Sequence, residues 1–424
     1  MAKRKEKNEE KKEKKVAVLK KVKKVIKRKN NKEPNSYGLL EVIIVAFIFT
    51  LFGIIIGYLL NYGRDTYTGK KIPKSIEEFI DTYETIHENY YGKLDDKKLI
   101  EAAINGMVSS LEDPYSSYMN EQDASTFDEE NTGSYVGIGV TVEYGDNVNK
   151  IIDVNKEAPA YKAGIKEGDI IIEVDGTDVT NMFGDDLSNL IRGEAGSPVD
   201  VKVKRGDEVI LFKITREKVD LISVCGYVDE NNNKKVGVIT ITSFSSNTYK
   251  QFNKVLKDLE KEKIDSLVID VRNNLGGQLA QVRNILDVFF DKNTVLFQVK
   301  SKNYTLKIKA NDKKKKTYPV AVLINNSSAS ASEVLAACFK DNYKKSFIVG
   351  DQSFGKGTVQ KTVSLKDGGK YKYTVEQWLT PKGEWIEGDG ITPTHKVANS
   401  EDYYNNPTKE NDDQLKKAIE LVTK

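Results

Sequence analysis

YPVAVLINNSSASASEV, residues 318–334, runs from an unbroken apolar stretch into a serine-rich loop and then into the start of an apparent helix. An apolar run without alternation marks a strand buried on both faces, and strand followed by helix is the repeating unit of an α/β layer. The same texture recurs in KVGVITITSF (235–244), DSLVIDVRNN (265–274) and SFIVG (346–350), with an amphipathic helical stretch from Thr248 to Lys261 between the first two. Chemistry in such layers lies where the strands end, because the loops there carry reactive groups over a rigid scaffold. Two of these loops stand out, DVRNNLGGQ (270–278) and NNSSASASEV (325–334).

Ser330 alone reads as a helix N-cap, since Glu333 follows at capping-box spacing. A lysine between glycines in FGKGTVQ (354–360), beyond another apolar strand, changes the weighing. Serine is a weak nucleophile that needs an adjacent base. The chain holds only two histidines, His87 in an early helical region and His395 in ITPTHKV. Neither sits among other catalytic hallmarks, so Lys356 is the expected base. Its amine must then be neutral, which burial achieves by lowering the pKa from about 10.4 toward 7 to 8. Gln360, four residues on, is placed to orient that amine in either a helical or an extended geometry.

Upstream, YVGIGVTV (135–142) and VNKIIDV (148–154) alternate β-formers before APAYKAGIKEGDIIIEVDGTDV (158–179), and SPVDVKVKRGDEVILFKITRE (197–217) reads as a closing hairpin. Residues 133–218 resemble a PDZ domain, with Gly137, Ile138, Gly139 and Val140 matching the loop that binds peptide carboxylates. Successive backbone N–H groups there hold a terminal carboxylate while the peptide adds as a strand.

Together DVRNNLGG, SSASASEV and FGKGTVQ resemble the carboxyl-terminal processing proteases, serine peptidases with an embedded PDZ domain, over roughly residues 75–397. The resemblance implies Ser330 as nucleophile, Lys356 as general base, Gln360 as its support, and Gly276 and Ala331 as backbone oxyanion donors. It also implies that Arg192 in LIRG couples tail binding to activity. Three departures accompany it: Leu275 where many relatives carry proline, a serine-to-lysine interval one residue longer, and Thr394 in place of a usual aspartate.

The N-terminus carries a different signal. Residues 1–38 hold sixteen Lys and Arg against five Glu, a local charge of +11 in a chain of +3 overall. Basic charge confined to a tail before an apolar run points to a membrane and away from nucleic acid. Val42–Leu60 passes nineteen residues without a charge, close to the roughly 20 that a spanning helix needs. The positive-inside rule keeps the tail cytoplasmic and predicts a single-pass cell-membrane protein with residues 61–424 extracytoplasmic. Gly53 and Gly57 form a GxxxG spacing compatible with a homodimer.

The expected organisation is therefore multidomain α/β and β: a basic cytoplasmic tail (1–38), a transmembrane helix (39–60), a helical N-terminal subdomain (61–132), a PDZ-like β-rich domain (133–218), an α/β serine-protease core (219–398), and a C-terminal linker and helix (399–424). Helical spacing is expected at 75–90 and 95–111, and an amphipathic helix from Asp412. Cys225 and Cys338 each sit among apolar residues and read as packing. With two histidines, no CxxC pair and no HExxH, neither a metal nor an organic cofactor is expected. GDQSFGKG (350–357) fits a phosphate loop in length, but Gly357 stands where magnesium binding needs Ser or Thr. The expected function is an endopeptidase that selects protein substrates by their C-terminal tails, with an adaptor or activator as a further expected partner. A noncatalytic PDZ-containing scaffold is the alternative.

Overall fold

The computed structural model describes residues 73–424 apart from 146–147 and 312–315, together with Thr50, Thr66–Tyr67 and Lys70–Lys71. Among the described residues no helix is long and apolar enough to cross a membrane. Apart from Thr50, the span expected at 39–60 lies outside them, as does the basic tail.

Contacts divide the chain into two units, 1–96 and 97–424. In the first, helix α1 (Lys74–Asn89) forms at the expected place, yet none of its residues is buried, and Ile76, Phe79 and Ile80 are exposed. Helix α2 (Asp96–Ser109) opens the second unit. Strand β1 (Ser117–Met119) and helix α3 (Glu121–Thr132) follow. The Asn120 side chain caps α3 by accepting from Asp123 N at 2.9 Å, and Gly133 ends it with φ +69°, a conformation glycine adopts without penalty.

Strand β2 (Ser134–Gly137) pairs antiparallel with β8 (Glu217–Asp220), so the chain enters and leaves the PDZ-like module through one two-stranded ribbon. Between them lie β3 (Val140–Gly145), β4 (Val148–Val154), β5 (Ile170–Val174), helix α4 (Asp185–Ile191), β6 (Pro198–Arg205) and β7 (Glu208–Thr215). The sheet runs β7-β6-β5-β4-β3. Alternation sets its inner face: Val199, Val201 and Val203 of β6 are fully buried and pack with Ile151, Ile171 and Leu187.

The core sheet is built from β9 (Val224–Asn231), β10 (Lys234–Ile241), β11 (Ser266–Asp270), β14 (Val320–Ile324), β15 (Ser346–Gly350) and β18 (His395–Lys396), in that order across the sheet. All neighbours from β10 onward are parallel. Helices α5 (Thr248–Lys261), α6 (Leu279–Asp287) and α7 (Ala331–Asn342) cover one face, packing on Leu267, Ile269, Val320, Val322 and Ile324. The opposite face, Val268, Ala321, Leu323 and Val349, is covered by the C-terminal helix α8 (Asp413–Thr423). Its Leu415, Ile419, Leu421 and Val422 are buried, worth roughly 6–12 kcal/mol of apolar burial as an upper figure. Both faces being covered explains why these strands read as continuous apolar runs.

A second sheet, β13-β12-β17-β16, comprises β12 (Val295–Lys300), β13 (Thr305–Lys309), β16 (Thr358–Ser364) and β17 (Lys370–Leu379), and β1 pairs onto β17. One expectation needs correction: Cys338 is fully buried as packing requires, but Cys225 is exposed on the edge strand β9. Its apolar sequence neighbours point to the opposite face of that strand.

Candidate active site

Because β11, β14 and β15 are parallel and adjacent, the loops after them emerge at the same edge of the sheet. They carry Gly276, Ser330 and Lys356. Side-chain locks join the first two loops. Asn273 N donates to Asn325 Oδ1 at 2.9 Å and Asn325 Nδ2 returns to Asn273 Oδ1 at 2.7 Å. Ser328 Oγ donates to Val271 O at 2.8 Å, and Ser332 Oγ to Asn274 O at 2.9 Å.

Those bonds engage the serines on either side of Ser330. The Ser330 hydroxyl binds no carbonyl or carboxylate among the described residues and faces the Glu333 N–H in a capping box. Its backbone sits at φ +53°, ψ −112°, a region that costs a non-glycine residue about 1–3 kcal/mol and persists only where surrounding structure imposes it.

What imposes it is Glu333. This side chain is fully buried, and all its oxygens' partners are donors. Oε2 accepts from Ser330 N at 2.7 Å and Lys356 N at 2.9 Å; Oε1 accepts from Ser353 Oγ and Gly355 N, each at 2.6 Å. Burial pushes its carboxyl above the ordinary range, while the four donors pull it back. Three of the four partners are backbone N–H groups that can only donate, and the Ser353 hydroxyl donates as well, an arrangement that suits the ionised form. The capping box expected from the spacing is formed, with Glu333 receiving the Ser330 N–H and the Ser330 side chain facing the Glu333 N–H, and the carboxylate also reaches the lysine loop.

Lys356 is held at both ends of its backbone, by Glu333 and by Trp378 Nε1, which donates to Lys356 O at 2.7 Å. Its amine makes no hydrogen bond among the described residues and lies 4.7 Å from the centre of the Tyr115 ring. Burial, then the nearby Lys372, hold that amine below the ordinary 10.5. Gln360, on β16, donates to the hydroxyls of Thr358 and Thr374 at 2.9 and 3.1 Å. The structure thus brings Ser330 and Lys356 onto one carboxylate and engages Gln360 with threonines.

Gly276 packs against the nucleophile loop: a Cβ on it would lie 2.8 Å from Ser330 Cβ and 3.0 Å from Ala331 N, and its φ of +102° also requires glycine. Its N–H is donated to Asn274 Oδ1 at 2.8 Å. Beside it opens a cavity of about 570 Å³, lined in part by Phe127, Leu221, Ile222, Phe244 and Leu275. Leu275, the residue in place of a relative's proline, is 72% exposed on that wall. Thr394 also finds a role of its own, its hydroxyl accepting from Ile348 N and donating to Ile348 O.

In the PDZ-like module, Ile138 is buried in the core, and Gly139 (φ +83°) passes so close to Ala158 that a Cβ would meet its side chain at 2.1 Å. A narrow groove of about 90 Å³ runs between β3 and α4, bordered by Tyr135, Ile138, Gly139, Val140, Leu187 and Arg192. Arg192 lies over the Tyr135 ring at 5.3 Å and pairs with Glu129 of α3 at 2.9 Å.

Sequence reasoning missed Tyr115, Asp113 and the bridging role of Glu333. Glu333 was visible in the SxxE spacing. Tyr115 lies some 240 residues from the lysine it faces, and no local pattern points to it.

An α/β core that strains one serine at a helix start, preceded by a β-rich module with a groove between a strand and a helix, is the arrangement of a serine peptidase with a PDZ domain. The model of peptidase family S41 matches residues 235–397, that of the PDZ domain residues 150–205, and that of the activating protease CtpB N-terminal domain residues 61–123. Carboxy-terminal processing protease CtpB of Bacillus subtilis (strain 168) is 41% identical over 336 residues, covering 76% of this chain and 67% of its own. Carboxy-terminal processing protease CtpA of the same organism is 40% identical over 317 residues, with coverages of 74% and 67%. Among solved structures, a photosystem II D1 C-terminal processing protease covers 75% of this chain and 86% of its own at 28% identity and a TM-score of 0.44. The chain belongs to peptidase family S41 and is a carboxy-terminal processing serine protease, a hydrolase.

Proposed function

We propose that this protease works through a Ser330–Lys356 dyad, that its PDZ domain selects substrates by their C-terminal tails, and that it is a single-pass membrane protein acting outside the cytoplasm. The observation that carries the dyad is the single oxygen of buried Glu333 that receives the backbone N–H of both residues. In the reaction, the neutral Lys356 amine takes the Ser330 proton as Oγ attacks the scissile carbonyl. The negative charge on the resulting tetrahedral oxygen falls to the N–H of Ala331 and, once its bond to Asn274 is exchanged, that of Gly276. Lys356 then returns the proton to the leaving amine, and water repeats the sequence on the acyl-enzyme. The apolar cavity beside Gly276 suits an apolar substrate side chain near the scissile bond.

Tail selection rests on the groove between β3 and α4, whose loop Gly137–Val140 presents backbone N–H groups at one end, with Arg192 on its border. The anchor rests on the charge-free run 42–60 behind a tail of +11.

The test uses the full chain in micelles and a labelled unfolded polypeptide ending in Leu-Ala-Ala. Cleavage is expected from the parent, slowed at least about 10³-fold in Ser330→Ala and Lys356→Ala, and slowed when the tail is amidated. Parent-like rates in either variant would refute the dyad, and equal rates on acid and amide would refute tail capture. Protease added outside cells should remove the catalytic region; its full protection would refute the address.

A further inference from the structure

The backbone of Lys356 is fixed, but four rotatable bonds separate it from the amine, and no hydrogen bond among the described residues holds that amine. The group it meets is the face of Tyr115. That residue arrives from the far end of the sequence, on the turn between α2 and β1. The turn is tied down at several points. Asp113 accepts from Ser116 Oγ at 2.5 Å and from Tyr115 N at 3.1 Å, and Ser116 Oγ accepts from Thr374 N at 3.2 Å. Strand β1 then pairs Ser117 with Lys372 of β17. Glu387 accepts from Gly357 N at 2.7 Å and faces the Tyr115 hydroxyl. The ring is therefore a fixed surface, braced against the strand that neighbours the lysine loop.

We propose that Tyr115 is a positioning residue for the reaction, its ring face the seat that confines the Lys356 amine beside Ser330. The inference rests on Lys356 being the base. An aromatic face attracts an ammonium far more than a neutral amine, so the seat holds the lysine in place before it loses its proton and again as it takes the serine proton. The charged groups around the amine are Lys372 on β17, Glu387, Asp113 and Glu333. Tyr115 differs from all of them in acting through its face.

The experiment compares full-chain Tyr115→Leu and Tyr115→Phe in pH profiles of kcat and KM on the labelled polypeptide. Leucine keeps an apolar side chain at the site but removes the face, and the hydroxyl it also removes is controlled by the phenylalanine variant. Its kcat is expected to fall about tenfold or more at unchanged KM. Its acid limb should move about one pH unit lower, because the charged amine loses its attraction. Phenylalanine keeps the face and should stay close to the parent. Ring-fluorinated phenylalanine at 115 keeps the shape with a weakened face, and it should shift the limb in the same direction even if the leucine variant fails to fold.

An unmoved limb in the leucine and fluorinated variants would overturn the inference and leave Tyr115 a structural residue. Equal losses in Tyr115→Phe and Tyr115→Leu would overturn it by assigning the effect to the hydroxyl. Parent-like activity in Lys356→Ala would instead remove the base itself, a separate failure.

Discussion

Glu333→Gln isolates the bridge between nucleophile and base, because the amide keeps the shape and exchanges one acceptor oxygen for a donor. If the NH₂ takes the Oε2 position, the N–H groups of Ser330 and Lys356 both lose their acceptor, and neither can turn away. If it takes the Oε1 position, the Ser353 hydroxyl can rotate to accept, and only the Gly355 N–H is orphaned. The second orientation wins. One orphaned buried donor costs about 1–3 kcal/mol, and the two remaining bonds lose their charge assistance, bringing the total to about 2–4 kcal/mol. Relief from burying a charge works in the opposite direction and places the net near the lower end. The chain's two tryptophans, buried Trp378 and half-exposed Trp385, both belong to the protease domain, so denaturant unfolding followed by tryptophan emission reports this domain. Activity on an unfolded polypeptide should fall at least about tenfold, since Ser330 loses a charge-assisted tie that holds its strained backbone. Unchanged stability together with an unchanged rate would refute the reasoning.

Under the proposed dyad the neutral Lys356 amine is the base, so kcat/KM should rise with pH along a limb below 10.5 and lose that limb in Lys356→Met. Stability carries the same sign, because the folded state binds fewer protons than the unfolded chain between the depressed pKa and 10.5. The parent should therefore gain stability as pH rises through that window, and Lys356→Met should not, as urea titrations at two pH values will read. At the back of the sheet, Arg272 donates to Asp270 and to Asp412 at 2.6 and 2.7 Å; burial pulls its guanidinium down, and the two carboxylates more than offset it. Asp412→Asn keeps the cap to Leu415 N and loses the charge, with an expected cost of about 1–3 kcal/mol, whereas Arg272→Met strands two buried carboxylates at about 3–5 kcal/mol. Equal unfolding midpoints for the two variants would contradict that ordering.

Legibility followed burial. Strands such as SLVID and VAVLI are covered on both faces, so their apolar runs announce them, and their loops fall where parallel strands must end. The second sheet was nearly silent: TVQKTVS reads as a strand, but TLKIK is a polar strand of mostly exposed residues that carries no run and a weak alternation. Cys225 was misread for a related reason: its strand is an edge, where one face is packed and the other is not. Ser330 and Lys356 could be found because each belongs to a short contiguous motif. Glu333 belongs to the same motif, yet its reach to Gly355 and Lys356 depends on the packing of two loops and cannot be counted along the chain. Tyr115 depends on the pairing of β1 with β17, a contact spanning some 250 residues.

The loops around Ser330 set it apart from the serines beside it. Ser328 and Ser332 donate their hydroxyls to carbonyls of the Gly276 loop, which fixes that loop against the helix start and leaves the Ser330 hydroxyl between them bound to no carbonyl. The strain at Ser330 is held by Glu333, and Glu333 is held in turn by the lysine loop, so the two members of the proposed dyad stabilise each other's backbone before any substrate arrives. A histidine base would need a third group to fix its tautomer and orientation. A lysine needs only a dry place and a surface to confine its long side chain. In this fold the dry place comes from the core sheet's own loops, and the confining surface comes from the turn before β1.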